Sequence, residues 1–428
     1  MSPGRPNERY WLRDVTVVLV LFALSLAGQR WLRGQPPAAP REAGALVLLL
    51  ASLYFVHALL AGQRLRADQR VLPLVGLLGG LGLLLNLRLS PADEPWSMVR
   101  WLLGPLGALT LILGLGLTRQ ALRRDGDWGW LAGPAALGVL WAVLLRGMSF
   151  RGAQYGPGLT TPTELLKPLI VVFLAWFLSR PRTSLVASAL VVGVGLGLLV
   201  GLVRQGDLGM LMILGGLGLS LMFLRTAQSR WLMMGLGAGA LVAMVLMFGG
   251  TELLPNVAHK AQVRVQAWLN PWADIDGYGY QTAQALFAAH AGGLDGAGLG
   301  AGQAELVPLV RSDFIWAALC EELGLLGCAL LLLAYWGLFA RGARIATRAS
   351  SGFGQALATG CVTVLVVQTL LNIGGVVRLC PVTGITLPFV SQGGSSWLVC
   401  FMLIGMLLAV DHEEPAAGWA GGEQERVS

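Results

Sequence analysis

Apolar runs long enough to cross a lipid bilayer alternate with short polar segments along nearly the whole chain. A spanning helix needs roughly 17–25 such residues, and the pattern predicts about twelve helices. Because little of the chain remains for a soluble domain, the sequence predicts an all-α polytopic membrane protein. The predicted helices lie at residues 14–29, 44–62, 72–89, 100–117, 129–146, 164–180, 184–204, 208–224, 231–249, 313–340, 355–377 and 396–411.

The composition agrees with this class. Hydrophobic residues make up 55% of the chain and charged residues 12%, whereas a soluble protein carries about 25% charged residues. The net charge of +7 comes from arginines between the spans, where they set topology and meet lipid headgroups, so it does not indicate nucleic-acid binding. Five cysteines and four histidines show neither a disulfide framework nor a metal-ligand spacing.

Arginines divide unequally between the two sets of loops. They cluster at 5–13, 64–70, 119–124, 180–182, 225–230 and 341–348, all on one predicted side. The positive-inside rule therefore predicts cytoplasmic termini, with residues 250–312 and 378–395 on the outer side. No cleavable signal peptide is evident, because the first apolar run lacks a clear small-residue cleavage site.

The outer segment 250–312 is long for a connection between spans. It contains Trp268, Trp272, Tyr278 and Tyr280, and a glycine-rich run at 292–302. A loop of this length without a core of its own is usually functional or disordered. Its aromatic residues favour anchoring at the membrane interface or stacking on a substrate.

Three acids follow this loop. Asp313 stands where an apolar helix is predicted to begin, and Glu321 and Glu322 lie about two turns further on. Ionisable groups in lipid are costly, so these acids indicate a site facing water, a cavity or a partner charge. Asp313 fits both a helix cap and a general base. Glu321 lies about 80° round an ideal helix from Asp313 and can share its face, whereas Glu322 is predicted to bond to another helix.

Two further polar groups fall near the same outer face. Glu164 and Lys167 are spaced for an ion pair within one helix, and the alternative is that Lys167 neutralises a phosphate that Glu164 orients. Asp207 lies in a tight break between two apolar runs, where capping of the turn is the simplest interpretation.

Residues 381–396 form a polar segment too rich in proline, glycine and hydroxyls for a regular helix. Irregular backbone at membrane level must be buried in protein or line a wet cavity. Its amides and hydroxyls suit an anion such as diphosphate, and a structural re-entrant turn is equally compatible. Arg264, Arg311 and Arg378 add positive charge on the outer side. These residues indicate an outer site for an amphipathic anion, without choosing between an enzyme and a transporter.

Several ordered segments together resemble the SEDS family (shape, elongation, division and sporulation) of RodA-, FtsW- and SpoVE-type proteins. The similarity covers roughly residues 72–411, and two N-terminal helices precede it. It is carried by PTELLKP at 162–168, QGDLG at 205–209, WLNPWAD at 268–274, GYGYQTAQA at 277–285, GLGAGQAELVPLVRSDFIWAALCEELG at 298–324 and NIGGVVRLCPVTGITLPFVSQGGSS at 372–396.

The chain departs from the family pattern at a few positions. The family usually has Gln-Pro-Ser-Glu at 161–164, where this chain has Thr-Pro-Thr-Glu. The family also has a tryptophan before this element, where this chain has Arg-Gly-Ala-Gln-Tyr at 151–155. Proline is usual at Gly206 and tyrosine at Gln392. The charged residues are retained, so the departures bear on the subfamily more than on activity.

The resemblance implies a ten-helix core at 72–411, an N-terminal addition at 1–71 and a cytoplasmic tail at 412–428. It implies a peptidoglycan glycosyltransferase that polymerises lipid II at the outer face of the bacterial cytoplasmic membrane, with a class B penicillin-binding protein as transpeptidase partner. Asp313 matches the family's essential acid and would deprotonate the acceptor's 4-hydroxyl. Lys167 and the outer arginines would stabilise the leaving undecaprenyl diphosphate. The expected substrate-binding residues are Glu164, Lys167, Asp207, Arg264, Glu321, Ser391, Gly393, Gly394 and Ser395.

Two other functions are compatible with these residues. A lipid II flippase also needs polar groups within the membrane, and a non-catalytic scaffold of the cell-wall synthesis complex would make the acids structural. No ligand motif supports a metal, although Mg²⁺ or Mn²⁺ on the diphosphate is chemically compatible. The sequence does not distinguish elongation from division.

Overall fold

The structure is a computed structural model, and it describes residues 8–32, 40–62, 68, 70–90, 102–124, 126–146, 148–150, 153–155, 161–180, 184–230, 233–234, 237 and 255–411. Their α-helices are α1 (Glu8–Leu32), α2 (Pro40–Gly62), α3 (Val71–Arg88), α4 (Leu103–Leu122), α5 (Ala132–Arg146), α6 (Leu166–Ser179), α7 (Leu185–Gln205), α8 (Leu208–Thr226), α9 (Pro255–Leu269), α10 (Tyr280–Gly292), α11 (Ile315–Arg348), α12 (Gly352–Val376) and α13 (Gly394–Asp411).

The all-α membrane fold predicted from the apolar runs is confirmed. Each predicted run has a helical counterpart except 231–249, most of which lies outside the described residues. Within the described part of the chain, ten helices are long and apolar enough to cross a membrane, and the helix at 129–145 is shorter. The total of twelve stays a prediction. A small antiparallel hairpin of β1 (Met148–Phe150) and β2 (Ala153–Tyr155) was not predicted.

Helices α3, α12 and α13 form the centre of the bundle. Between 61% and 83% of their spanning residues are buried inside the protein, compared with 11% in α1. Helices α4 and α13 approach closely because small residues separate them. A β-carbon on Gly405 would lie 2.0 Å from the Leu111 carbonyl oxygen, so no larger residue fits there.

The N-terminal helices α1 and α2 pack on the core. Leu19 of α1 fills the space over Gly80 of α3, and the backbone at Leu49 of α2 approaches Gly104 of α4. Whether residues 1–71 form a separate unit stays a prediction.

Residues 250–312, which were predicted to form an outer loop, contain α9 and α10 in their described part. The chain after α10 also inserts into α11, which breaks at Gly324 (φ 65°, ψ −172°). Amides of Leu325 and Leu326 donate to carbonyls of Gly293 and Leu294, at 3.0 and 3.1 Å. Amides of the inserted chain, at Ala297 and Gly298, donate back to α11 carbonyls at 2.8 and 3.0 Å.

The break at Gly324 separates two environments along α11. Residues 315–319, 321 and 322 before it are buried. Strongly exposed apolar side chains follow it, among them Leu325, Leu330 and Trp336, at 65–68% exposure. Glu321 and Glu322 therefore belong to a short buried helix ahead of the lipid-facing part.

Candidate active site

Asp313 lies in the turn before α11, and it is half-buried. The helix begins at Ile315 with Phe314 as its N-cap residue and no side-chain capping bond. Asp313 is therefore not the cap residue of this helix, so that interpretation is wrong. The Asn372 side-chain amide donates to the Asp313 carbonyl at 3.0 Å and to the Ile385 carbonyl at 2.7 Å. This contact fixes the backbone of Asp313 against the polar segment 381–396.

A cation faces the Asp313 carboxylate across Gly384. A β-carbon on Gly384 would lie 3.9 Å from Asp313 Oδ2 and 3.8 Å from a terminal guanidinium nitrogen of Arg264. Another nitrogen of Arg264 donates to the Thr383 carbonyl at 3.4 Å. Gly384 has a φ of 78°, which glycine adopts readily, and a side chain at this position would contact both Asp313 and Arg264.

The polar segment 381–396 is held by hydrogen bonds to protein, as its position requires. Ser391 Oγ donates to the Ser312 carbonyl at 2.6 Å and accepts from the Leu387 amide at 2.8 Å. The Gln392 amide donates to the Arg311 carbonyl at 2.6 Å. These bonds seat the segment directly beside Asp313.

The other expected residues of this segment have different surroundings. The Ser395 hydroxyl hydrogen-bonds to the hydroxyl of Thr161. Gly393 and Gly394 border a cleft of about 130 Å³, whose further lining is Gly82, Leu83, Asn86, Leu103, Phe389, Val390, Ser391, Gln392 and Trp397. The cleft is mainly apolar, so it suits an apolar or amphipathic group more than a free anion.

The predicted contact between Glu164 and Lys167 is present. Lys167 Nζ lies 2.5 Å from Glu164 Oε2 and donates to Gln368 Oε1 at 2.9 Å. Lys167 is only 1% exposed. The Gln368 amide in turn donates to Thr386 and Ser396. Lys167 thus supports the polar segment from inside the bundle, and Glu164 balances its charge. A contact between Lys167 and a phosphate stays a prediction.

Asp207 caps α8, as its simplest interpretation predicted. Its Oδ1 accepts from the Met210 amide at 2.9 Å. Burial raises the pKa of the Asp207 carboxyl, while the Met210 amide and the nearby charges of Lys167 and Arg264 oppose that rise. A β-carbon on Gly209 would lie 3.0 Å from the Thr383 carbonyl oxygen. The start of α8 therefore lies against the polar segment.

Glu321 and Glu322 bind the glycine-rich segment 296–303. Glu321 Oε1 accepts from the Gln303 amide at 2.7 Å. Glu322 bonds to another helix, as predicted, through a 2.6 Å ion pair with Arg88 of α3, and it accepts from the Gly300 amide at 2.9 Å. The expected shared helix face of Asp313 and Glu321 is absent, because Asp313 precedes the helix. Arg88 was not predicted as the partner of Glu322, although a single arginine at the end of an apolar run was a signal for such a partner.

The three arginines that were predicted on the outer side have separate contacts. Arg378 donates to the carbonyls of Trp268 and Leu269 and so holds the end of α9. Arg311 donates to Ser90 Oγ at 3.3 Å. Arg264 and Asp313 both approach Gly384. Among the residues that the structure describes, no group of three His, Cys, Asp or Glu side chains is arranged to hold a metal ion.

The site therefore joins residues that are distant in sequence. Asp313, Arg264, Asp207 and the Glu164–Lys167 pair surround the polar segment 381–396. A half-buried carboxylate beside a guanidinium can remove a proton from a bound hydroxyl while the cation stabilises a developing negative charge.

Comparison with known proteins gives consistent matches. A family model for the FtsW, RodA and SpoVE cell cycle proteins matches residues 106–416. The chain is 32% identical to peptidoglycan glycosyltransferase RodA of Mycobacterium bovis, over 96% of this chain and 91% of that protein. It is 33% identical to stage V sporulation protein E of Bacillus subtilis, over 70% and 85% of the two chains.

Solved structures give matches to proteins of the same kind. A chain of a peptidoglycan synthase complex, studied for the coordination of polymerization and crosslinking, superposes with a TM-score of 0.61 at 28% identity. The match covers 81% of this chain and 98% of that one. Rod shape determining protein RodA of Thermus thermophilus superposes with a TM-score of 0.55 at 25% identity, over 81% and 97% of the two chains.

Proposed function

The chain belongs to the FtsW, RodA and SpoVE family of cell cycle proteins, and from this premise we propose that it is a peptidoglycan glycosyltransferase whose substrate is lipid II. Its relatives carry that activity in their names over most of the chain. The observation that supports the reaction most directly is the approach of Asp313 and Arg264 to the same position, because both side chains would lie within 4 Å of a β-carbon on Gly384.

Asp313 acts as the general base in this proposal. Its carboxylate takes the proton of the 4-hydroxyl of the acceptor N-acetylglucosamine, and that oxygen forms a bond to the anomeric carbon of the donor. The bond from this carbon to the diphosphate oxygen breaks, and undecaprenyl diphosphate leaves. Arg264 stabilises the charge on the leaving group. This assigns to Arg264 the role expected of Lys167, because Lys167 is buried against Glu164.

The multi-pass membrane fold sets the place of the reaction. We infer that the protein lies in the bacterial cytoplasmic membrane with both termini in the cytoplasm, because the arginine clusters favour that orientation. Asp313 then faces the outer side, where lipid II is polymerised. The partner that we propose is a class B penicillin-binding protein, and similarity to a chain of a peptidoglycan synthase complex supports this choice.

Replacement of Asp313 by asparagine tests the function. Asp313→Asn nearly preserves shape but cannot accept a proton at neutral pH, and loss of a general base costs about 10²–10⁴ in rate. We expect the variant to fold and insert normally yet to make almost no glycan from purified lipid II. Wild-type polymerisation by Asp313→Asn would contradict the role of Asp313, and a flippase or scaffold would then explain the fold better.

A further inference from the structure

Two cavities lie in the groove between α2 and α4, and they share Ile112 of α4. Their volumes are about 220 Å³ and 360 Å³. Apart from Ser52 and Arg119, only apolar residues and Gly116 line them. The cavities follow α2 over residues 48–60 and α4 over residues 105–119. At a rise of 1.5 Å per residue the groove is therefore roughly 18–21 Å long, slightly more than one half of a bilayer core about 30 Å thick.

Two glycines of α4 shape this groove. A β-carbon on Gly104 would lie 2.7 Å from the Leu49 α-carbon, so α2 and α4 are in contact at this level. A β-carbon on Gly116, which lines the smaller cavity, would meet no atom within 4 Å. The two helices therefore touch near the start of α4 and leave open space near its end. An apolar cavity of roughly 150 Å³ already stays dry and takes an apolar ligand, and a membrane supplies acyl chains for such a space.

Positive charge gathers at one end of the groove. Arg119 is half-buried and lines the smaller cavity. A guanidinium carries five N–H donors, so it can bind a phosphate beside another contact. Arg123 and Arg124 are exposed at the end of α4, and arginines at positions 64, 66 and 70 follow α2 in the sequence. A basic cluster beside a pocket between membrane helices is the pattern that binds anionic phospholipid headgroups.

Acids nearby in sequence do not cancel this charge. Residues 63–70 and 123–128 contain three acids, and two of them are Asp68 and Asp127. Arg341 donates to Asp68 at 3.0 Å, and Arg180 donates to Asp127 at 2.9 Å. Both acids are therefore balanced by arginines from other parts of the chain, so the end of the groove keeps its positive charge.

We propose that this groove binds an anionic phospholipid, with one acyl chain between α2 and α4 and the phosphate at Arg119. A helix is about 10 Å wide, too wide for the space between two helices in contact, whereas an acyl chain is thin enough. Helix α2 precedes residues 106–416, which match the family model, so the lipid joins the N-terminal segment to the core. The site contains neither Asp313 nor the polar segment 381–396, and it is independent of the proposed function.

Filling the groove tests the position of the acyl chain. Gly116→Leu places a side chain in the smaller cavity and should weaken binding of dioleoylphosphatidylglycerol about 10-fold or more, because exclusion of two methylenes is enough for that loss. Gly138→Leu is the matched control, since Gly138 is also an exposed helix residue whose β-carbon would meet no atom within 4 Å. Native mass spectrometry of the delipidated full-length protein in detergent, titrated with the lipid, measures the affinity. Equal affinity in the two variants would overturn the site.

The headgroup is tested by removing charge. Arg119→Gln should weaken binding of dioleoylphosphatidylglycerol about 10-fold, since it removes a charge-assisted hydrogen bond, and should change binding of dioleoylphosphatidylcholine less. Arg225→Gln removes an exposed arginine at the end of α8 and is the matched control. Equal affinity of the wild-type protein for the two lipids would overturn the role of charge. Wild-type protein that retains neither lipid would overturn the proposal and favour a protein partner over this groove.

Discussion

Arg88 and Glu322 form a 2.6 Å ion pair between α3 and α11, and the Glu322 side chain is fully buried. The same two residues hold the glycine-rich segment 296–303, because Arg88 donates to the Gly302 carbonyl and Glu322 accepts from the Gly300 amide. Glu305 lies 3.5 Å from the same guanidinium but is 58% exposed. The buried acid therefore fixes the segment ahead of Asp313, and the exposed one adds little.

Glu322→Gln should loosen this segment. Loss of a charge-assisted bond is worth about 1.5–3 kcal/mol, so amide exchange at Gly300 should accelerate roughly 10- to 150-fold. Hydrogen exchange with mass spectrometry of peptides that cover 296–303 measures this. Glu305→Gln is the matched control and should leave exchange unchanged. Equal protection in both variants would show that the Arg88–Glu322 pair does not hold the segment.

Replacement of Lys167 distinguishes a structural role of this residue from a substrate-binding role. Lys167→Met leaves the Glu164 carboxylate without its partner, and breaking a buried pair costs about 3–5 kcal/mol. We expect a lower unfolding temperature in detergent, with most of the loss restored in the double variant Glu164→Gln/Lys167→Met. A Lys167→Met protein of normal stability but raised KM for lipid II would instead support a phosphate contact.

The sequence predicts those parts of the molecule that depend on local pattern. Apolar runs are sufficient for the membrane helices, because lipid requires every backbone polar group to be bonded within its own segment. The spacing of Glu164 and Lys167 likewise predicts their contact, since residues three apart on a helix are neighbours. A buried Glu322 in an apolar run needs a partner, which predicts its bond to another helix.

Features that depend on distant segments could not be predicted. Gly324 lies in an apolar run and looks like an ordinary helix residue, yet α11 breaks there because the chain at 293–298 supplies its hydrogen bonds. Gly384 and Asp313 are separated by some seventy positions, and Arg264 lies on a third element. No local sequence pattern predicts that these three residues lie close together.

The break at Gly324 brings two thiols together. In a continuous helix, residues eight apart are displaced by about 12 Å along the axis, but the sulfur atoms of Cys320 and Cys328 lie 3.5 Å apart. Mild oxidation with copper phenanthroline should therefore form an intramolecular disulfide that links these two cysteines. Peptide mass mapping detects it.

Gly324→Ala is the control for the bend at α11. Its β-carbon would lie 2.3 Å from the Gly296 amide nitrogen, and its φ of 65° is unfavourable for alanine. This variant should form less of the Cys320–Cys328 crosslink. Oxidation of the wild-type protein without any such crosslink would contradict the bend itself.

The space over Gly384 gives the most direct test of how the site works. Alanine there would put a methyl group within 4 Å of both Asp313 Oδ2 and the Arg264 guanidinium, where the reacting groups must fit. We expect Gly384→Ala to lower kcat for lipid II polymerisation at least about 10²-fold, which is the loss that a misplacement of roughly 1 Å causes.

Backbone strain alone could also harm the protein, and Gly293→Ala controls for it. Gly293 has a positive φ as well, but its β-carbon would meet no atom within 4 Å. Both variants should therefore lose stability, roughly 1 kcal/mol or more, whereas only Gly384→Ala should lose catalysis. Similar activity in the two variants would mean that the substrate does not occupy the space between Asp313 and Arg264.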